Sequence, residues 1–463
     1  AVESQLEEGV IWAGSDDVLI HVTRDGGDSW TNVTPSSMPE WTMINSVEID
    51  PFNKGGLYVA GTRYKLGDYT PYLYKTEDFG HTWKKITNGI GSEHFTRVLR
   101  ADPTKKGLLY AGTENGMYVS FDDGSSWQIL QMNLPVVPIT DLAIKNNNLI
   151  AATQGRSFWL LDDITVLHQL SDEVKKKAHH LFKPMDTYRL GGGNNRTSKT
   201  EGTNHPGGVL VHYYVKDTSA SDTVSLTFME KDGDLIRTFS THPDKDKIEE
   251  SLKVKEGLNT MNWDMRYPGA STFPGMILWW ATTNGPKAIP GEYQVKLSVN
   301  GEGQNVSFNL IKDPRSSATQ ADLQEQFDFL NAVKEKLSET NEAIEKIRKA
   351  REQINSVVSK VDDDEVKEMG KSILEDMKAI EEALYQTKNE SRQDPLNFPI
   401  RLNNKLGHLA SLEGIGEYKP SDQAKAFKTE VTAKIDSQLD KLKDIFESRI
   451  DAFNNKVAAT SFK

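Results

Sequence analysis

The stretch Thr23-Arg24-Asp25-Gly26-Gly27-Asp28-Ser29-Trp30 returns as Thr76-Glu77-Asp78-Phe79-Gly80-His81-Thr82-Trp83, and again as Ser120-Phe121-Asp122-Asp123-Gly124-Ser125-Ser126-Trp127. Each copy places a hydroxyl residue, an Asp, a Gly, a second hydroxyl residue and a Trp at the same spacing. The order has a physical reading. An Asp accepts hydrogen bonds from backbone amides in a tight turn, a Gly takes the positive φ that the turn needs, and the Trp opens the next strand with a large ring to bury. Asp25, Gly27 and Trp30, Asp78, Gly80 and Trp83, and Asp122, Gly124 and Trp127 are therefore read as structural corners, in preference to a calcium-binding or catalytic set.

Working outward, each copy follows an apolar strand ending in Gly: Val10-Ile11-Trp12-Ala13-Gly14, Leu57-Tyr58-Val59-Ala60-Gly61 and Leu108-Leu109-Tyr110-Ala111-Gly112. Two copies carry a still earlier strand closed by Asp-Pro, in Val47-Glu48-Ile49-Asp50-Pro51 and Leu99-Arg100-Ala101-Asp102-Pro103. Trp30, Trp83 and Trp127 stand 53 and 44 residues apart, close to the roughly 40 to 50 residues of a four-stranded propeller blade. Residues 1–165 are expected to form a partial β-propeller of three such blades and a degenerate fourth. That fourth blade ends in Gly155-Arg156-Ser157-Phe158-Trp159-Leu160-Leu161-Asp162-Asp163.

In a blade with the turn between its third and fourth strands, the loop between strands two and three lies at the opposite end. So do the links between blades. That end receives the long loop 63–71 and the links around Trp41, His94, Glu114 and Arg156. Arg63, Tyr64, Asp68, Tyr69, Trp41, His94, Glu114 and Arg156 are the ligand-binding candidates, because loops with exposed aromatic and charged residues on a rigid scaffold are where function collects. A structural alternative stands beside this: Arg63 and Asp68 can pair to order their own loop.

Residues 166–207 read as a linker, with a short amphipathic helix from Ser171 to Phe182 and a mobile Gly-rich loop from Leu190 to Gly202. His179-His180 falls in that helix, where neighbours diverge and make a poor metal site. The Gly-rich loop lacks the Gly-Lys-Ser/Thr order of a phosphate loop. Residues 208–312 alternate like strands between turn signals, and Pro290-Gly291-Glu292-Tyr293 enters its strand as immunoglobulin-like sandwiches often do, so an antiparallel immunoglobulin-like β-sandwich is expected. Trp263, Trp279 and Trp280 offer a sugar-stacking platform, although adjacent strand residues face opposite sides. In residues 313–463, Leu323, Leu330, Leu337 and Ile344 recur every seven residues. Two further apolar helical faces follow, one after Asp362-Asp363-Asp364 and one after Ser421. These predict an antiparallel three-helix bundle, with 394–406 as a Pro-interrupted connection. The acidic run at 362–365 suits a helix N-terminus and lacks the spacing of an EF-hand.

The 463 residues carry a formal net charge of −12, which argues against a nucleic-acid partner. No apolar run reaches the length of a membrane span. Cysteine is absent, which rules out disulfides, thiolate metal sites and cysteine nucleophiles. No cofactor or metal motif is present in the sequence. The chain opens on Ala1 without a signal-peptide pattern, as a mature or excised fragment would.

The repeated turns resemble the Asp-box (BNR) repeats of sialidases and sortilin-type propellers. Together with Gly155 to Asp163, Pro290 to Tyr293, Lys312 to Arg315 and Leu402 to Leu406, they resemble the C-terminal part of Bacteroidetes-type sortilin-like (VPS10) proteins often labelled glycosyl hydrolase. That resemblance implies a larger propeller completed by further blades, export to the periplasm, outer-membrane surface or medium, and a loosely defined activity. Sialidase chemistry would need an arginine cluster with a Tyr–Glu pair and an Asp acid. Arg63, Arg97, Arg100 and Arg156 with Tyr64 or Tyr69 do not match that pattern. The leading expectation is a non-catalytic propeller that binds protein or peptide, with sandwich and bundle as a docking platform. The alternative is a glycan-active glycoside hydrolase whose catalytic residues lie partly in other blades, with Asp68 and Glu114 as a conceivable carboxylate pair.

Overall fold

The structure is a computed structural model and describes residues 1–193, 202–244 and 249–460. The chain divides into two compact units, Ala1–Lys176 and Lys177–Lys463.

The first unit is a series of antiparallel sheets, each a simple up-and-down meander. The first contains Val2–Glu3, Ile11–Gly14, Ile20–Thr23 and Thr31–Asn32. The second contains Met43–Ile49, Leu57–Arg63, Asp68–Thr76 and Lys84–Lys85. The third contains Thr96–Ala101, Leu109–Thr113, Gly116–Ser120 and Gln128–Ile129. A three-stranded fourth sheet, Ile139–Lys145, Asn148–Thr153 and Phe158–Leu161, completes the series. This is the arrangement of propeller blades, and we number them 1 to 4.

The period of two along each strand explains why the blades stack. In Leu57–Arg63, Leu57 and Val59 pack with Trp12, Ile20 and Val22 of blade 1. The alternate Tyr58 and Ala60 pack with Leu99, Leu109 and Ala111 of blade 3. Val98, Tyr110 and Val119 in turn face Ile139, Leu142 and Leu149 of blade 4. A strand buried on both faces must be apolar at every position, which is why these segments read as continuous hydrophobic runs.

The three repeated turns make the same bonds. Thr23, Thr76 and Ser120 donate to Asp25, Asp78 and Asp122 at 2.7, 2.8 and 2.8 Å. The same hydroxyls accept from the amides of Gly27, Gly80 and Gly124 at 3.0, 3.0 and 2.9 Å. Each Asp also accepts from the amide and the hydroxyl of Ser29, Thr82 or Ser126. These bonds hold the three carboxyls below the usual carboxylate range; Ser29 has the largest effect on Asp25 and Thr82 on Asp78, whereas at Asp122 the bonds overcome an opposing desolvation. Two of the three Trp side chains then reach back one blade: Trp83 donates to the Val33 carbonyl at 2.7 Å and Trp127 to that of Ile86 at 2.8 Å. Trp30, on the first blade, is 45% exposed. We call this end of the blades lower and the opposite end upper.

Two short helices, α1 (Thr165–Gln169) and α2 (Asp172–Lys176), follow the blades. The helix expected from Ser171 to Phe182 stops at Lys176, because His179–Leu181 is a strand paired with Tyr213 to Val215. In place of diverging on a helix, His179 and His180 alternate across a sheet edge, and His180 sits edge-on to Phe182 at 4.8 Å. Burial lowers the His180 pKa.

The second unit opens with two facing sheets. One orders His179–Leu181, Val209–Val215 and Gly257–Trp263. The other orders Thr187–Tyr188, Glu302–Ile311, Gly291–Val299, Val224–Glu230, Leu235–Ser240 and Glu249–Ser251. A shared core joins them, with Trp263 stacked on Phe228 at 4.7 Å. The pairing is mixed where antiparallel pairing was expected: Thr187–Tyr188 runs parallel to Leu310–Ile311, and Thr238–Ser240 parallel to Glu249–Ser251. Trp263 is fully buried, so it cannot join a sugar platform. Trp279 and Trp280 lie outside any strand; the amide and carbonyl of Trp279 bond to Asn404, and Trp280 is 72% exposed. The Gly-rich loop falls largely on 194–201, outside the described residues.

The helical region contains α3 (Gln320–Val358), α4 (Asp364–Leu384), α5 (Leu402–Glu413), α6 (Asp422–Asp444) and α7 (Ile450–Ala458). Thr319 and Asp322 form a reciprocal capping box on α3, and Asp363 caps α4 by accepting from the amides of Glu365 and Val366. The connection expected at 394–406 holds a 3-10 turn, Asp394–Leu396, and gives way at Leu402 to the helix α5, so the region has more than three helices. Leu406, Leu409 and Ala410 bury one face of α5 in the shared core, and Asn403 Nδ2 bonds to Asn341 Oδ1 at 3.2 Å. A π-helical turn, Ile445–Arg449, joins α6 to α7.

Candidate functional site

The upper end of blades 2 and 3 gathers most of the candidate residues. Arg63 and Asp68 face each other across the ladder, with Tyr64–Leu66 as a single 3-10 turn between them and Gly67 at φ 74 closing it. The Arg63 guanidinium meets Asp68 Oδ2 at 2.6 Å, and its Nε donates to the Glu40 carbonyl at 3.1 Å. Tyr72 Oη donates to the same Asp68 oxygen at 2.7 Å, and the Thr70 amide to the other at 3.0 Å. Desolvation opposes ionisation of Asp68, but the bonds from Tyr72, Thr70 and Arg63 outweigh it and hold the carboxyl below its usual range. The pairing that was an alternative at the level of sequence is therefore present.

Beside this pair, the Tyr64 ring stacks on Phe95 at 5.2 Å and Tyr69 lies 6.0 Å from the same ring. The Arg97 guanidinium lies 5.2 Å from Phe95 and 5.6 Å from Tyr64, while its Nη2 binds Glu114 at 2.6 Å. Asp68 and Glu114 thus each serve an arginine and do not form a carboxylate pair. His94 bonds to Tyr118 Oη at 2.7 Å. Trp41 is 68% exposed at φ 62 and walls a cleft of about 240 Å³ with Asp16, Met43, Arg63, Tyr64 and Leu66. Arg156, on blade 4, is exposed; its Nη1 donates to the Gly155 carbonyl at 3.5 Å and its own carbonyl accepts from Trp159 Nε1 at 2.9 Å.

A second arrangement lies on the first strands of blades 2, 3 and 4. Arg100, on the middle one, reaches both neighbours: Nη2 meets Asp141 at 2.6 Å, Nη1 meets Ser46 Oγ at 2.9 Å and lies 3.6 Å from Glu48, and Nε donates to the Leu142 carbonyl at 2.9 Å. Desolvation pushes the Glu48 carboxyl up to about 7, against the pull of Arg100. The signal was in the repeats. Glu48 and Arg100 each stand two residues before an Asp-Pro, so opposite charges occupy equivalent positions of adjacent blades.

Among the described residues no cluster of three or more His, Asp or Glu side chains could hold a metal ion. No described helix is long and apolar enough to cross a membrane.

No protein-family profile matches the chain, and neither does any curated protein. Solved structures give partial likenesses. YCF48 from Cyanidioschyzon merolae is 19% identical over 35% of this chain and 51% of its own, with a TM-score of 0.28. YCF48 bound to D1 peptide is 22% identical over 33% and 48%, with a TM-score of 0.27. A GH74 xyloglucanase from Xanthomonas campestris is 14% identical over 66% and 44%, with a TM-score of 0.28. The matched parts are about half or less of those proteins' length. At such scores the likenesses carry no argument about function, and the blade description rests on the strand order and packing above.

Proposed function

We propose that the chain is a non-catalytic binding protein of sortilin-like, BNR-repeat type that captures a peptide or an extended protein segment on the upper end of blades 2 and 3. One observation carries this reading: the rim carboxylates are committed to arginines, while Trp41 and Tyr69 stay exposed beside the cleft. Aromatic surface next to fixed charge suits side-chain recognition, where rigid rings bury area at small entropic cost. In this reading the protein works outside the cytoplasm, further blades complete the propeller, and the facing sheets and helices form a docking platform. The strand order of the sheets supports an immunoglobulin-like assignment for the sandwich.

The test is fluorescence polarisation against an array of labelled peptides. Binding that is lost in Trp41→Ala and retained in Arg156→Ala is expected. Absence of any saturable binding by the folded protein would end the reading.

A glycoside hydrolase is the second reading, supported by Glu48, a carboxyl poised near neutrality that shares Arg100 with the carboxylate Asp141. Glycoside hydrolysis uses one carboxyl raised as an acid and a second kept ionised. Sugar release from an oligosaccharide panel, abolished by Glu48→Gln, would replace the binding proposal with this one.

A further inference from the structure

The second unit holds a cavity of about 260 Å³ that neither reading uses. Three cationic side chains line it: Arg189 from the strand edge, Arg266 from beyond Trp263, and Lys287 from the segment before Gly291–Val299. Phe327 and Leu330 of α3 form an apolar wall, and the backbone of Gly414 to Gly416 closes another side.

The charges do not balance. Arg189, 6% exposed, is matched by Glu417 and also donates to the Ala288 carbonyl at 2.8 Å. Asp313 is engaged elsewhere, since Arg315 grips both its oxygens at 2.8 to 3.3 Å. Arg266 and Lys287 pair with no carboxylate among the described residues. The Arg266 guanidinium donates to the Gly285 carbonyl and the Lys287 ammonium to the Leu190 carbonyl, both at 2.9 Å, while the Arg266 backbone amide donates to Asp264 Oδ1 at 3.1 Å. Glu417 Oε2 is buried and accepts no bond from the described residues. Two cations without an ion-pair partner among the described residues, one idle acceptor and an apolar wall around a partly open cavity form a recognition pattern, because burying like charges without a counter-ion is costly.

We propose that this cavity binds a small organic acid: its carboxylate or phosphate lies between Arg266 and Lys287, a hydroxyl or amine donates to Glu417 Oε2, and its short apolar body rests on Phe327 and Leu330. The volume admits roughly eight water-sized groups, the size of a small molecule. The site goes beyond the rim proposal and stands or falls apart from it.

The protonation state of Lys287 supplies the handle for a test. Desolvation, then the nearby Arg189 and Arg266, lower its pKa to about 8, against smaller opposing pulls from Glu417 and Asp264. Asp313 lines the same cavity. A bound anion stabilises the ammonium form, so it raises this pKa, and affinity falls as pH rises through the free-protein value.

The probes are inorganic phosphate, benzoate and phenyllactate, titrated calorimetrically into the full chain, with chloride as the control. Saturable binding is expected for at least one probe, with phenyllactate tighter than benzoate. At least about tenfold weakening is expected in Lys287→Met and Arg266→Gln, with loss of affinity between pH 7 and 9.5. If the variants do not fold, carbon-13 methyl-lysine spectra of the wild type replace them. An upward shift of the Lys287 titration with the probe supports the site. A titration that the probes leave unmoved, or binding of none of them to the folded protein, overturns it.

Discussion

The two ends of the blades are built on opposite principles. At the lower end three turns repeat the same bonds, atom for atom, and two of the three tryptophans lock onto the preceding blade. At the upper end no two loops match: blade 2 has the Arg63–Asp68 clamp, blade 3 the Arg97–Glu114 pair, and blade 4 the turn at Arg156, closed by Thr153 on Ser157 and by Trp159 on the Arg156 carbonyl. Repetition marks what every blade needs in order to pack. Divergence marks where one blade does something the others do not.

Substitutions can break or sharpen that contrast. Trp127→Ala should have the largest effect, about 3–5 kcal/mol in urea unfolding, because it empties a buried ring site and breaks the bond to Ile86. The equivalent Trp30→Ala should cost under about 1 kcal/mol; equal costs would show that the tie between blades is not what the tryptophan provides. Asp122→Ala should cost about 1–2 kcal/mol by loss of its turn bonds.

Glu48→Gln has a pH signature. Its carboxyl is raised from 4.5 to about 7 in the folded protein, so the stability it contributes is complete below 4.5 and is lost as pH rises through about 7. The Gln variant should therefore gain on wild type by about 2–3 kcal/mol between pH 5 and pH 8. A gap that is constant with pH would remove the case for a poised acid. Trp41→Ala should be the mildest, within about 0.5 kcal/mol in stability, while peptide binding disappears. A large stability loss there would make the upper end as architectural as the lower.

Much of this was legible in the chain. The repeated Asp, Gly and Trp gave the blades because a turn is a local object, closed by atoms four residues apart. The 39-residue helix α3 was legible for the same reason, since its apolar face recurs at fixed intervals. His179 and His180 misled because their segment has helical polarity, whereas a strand edge at Tyr213 to Val215 was waiting for it. The helix α5 was hidden by the prolines ahead of it, and packing against α3 decided its form. On the rim, sequence could name Arg63 and Asp68, but only the ladder register made them partners.

Local chemistry by itself determined the corners, the alternating strands and the long amphipathic helices, because each is fixed by neighbours within a few residues. Tertiary structure alone decided which charges are matched. Arg100 meets Glu48 and Asp141 across 52 and 41 positions, and Lys287 forms no ion pair among the described residues, with Glu417 and Asp264 pulling on it only from a distance. Compensation of charge depends on distance in space and on the water excluded there, and neither is written in the order of residues.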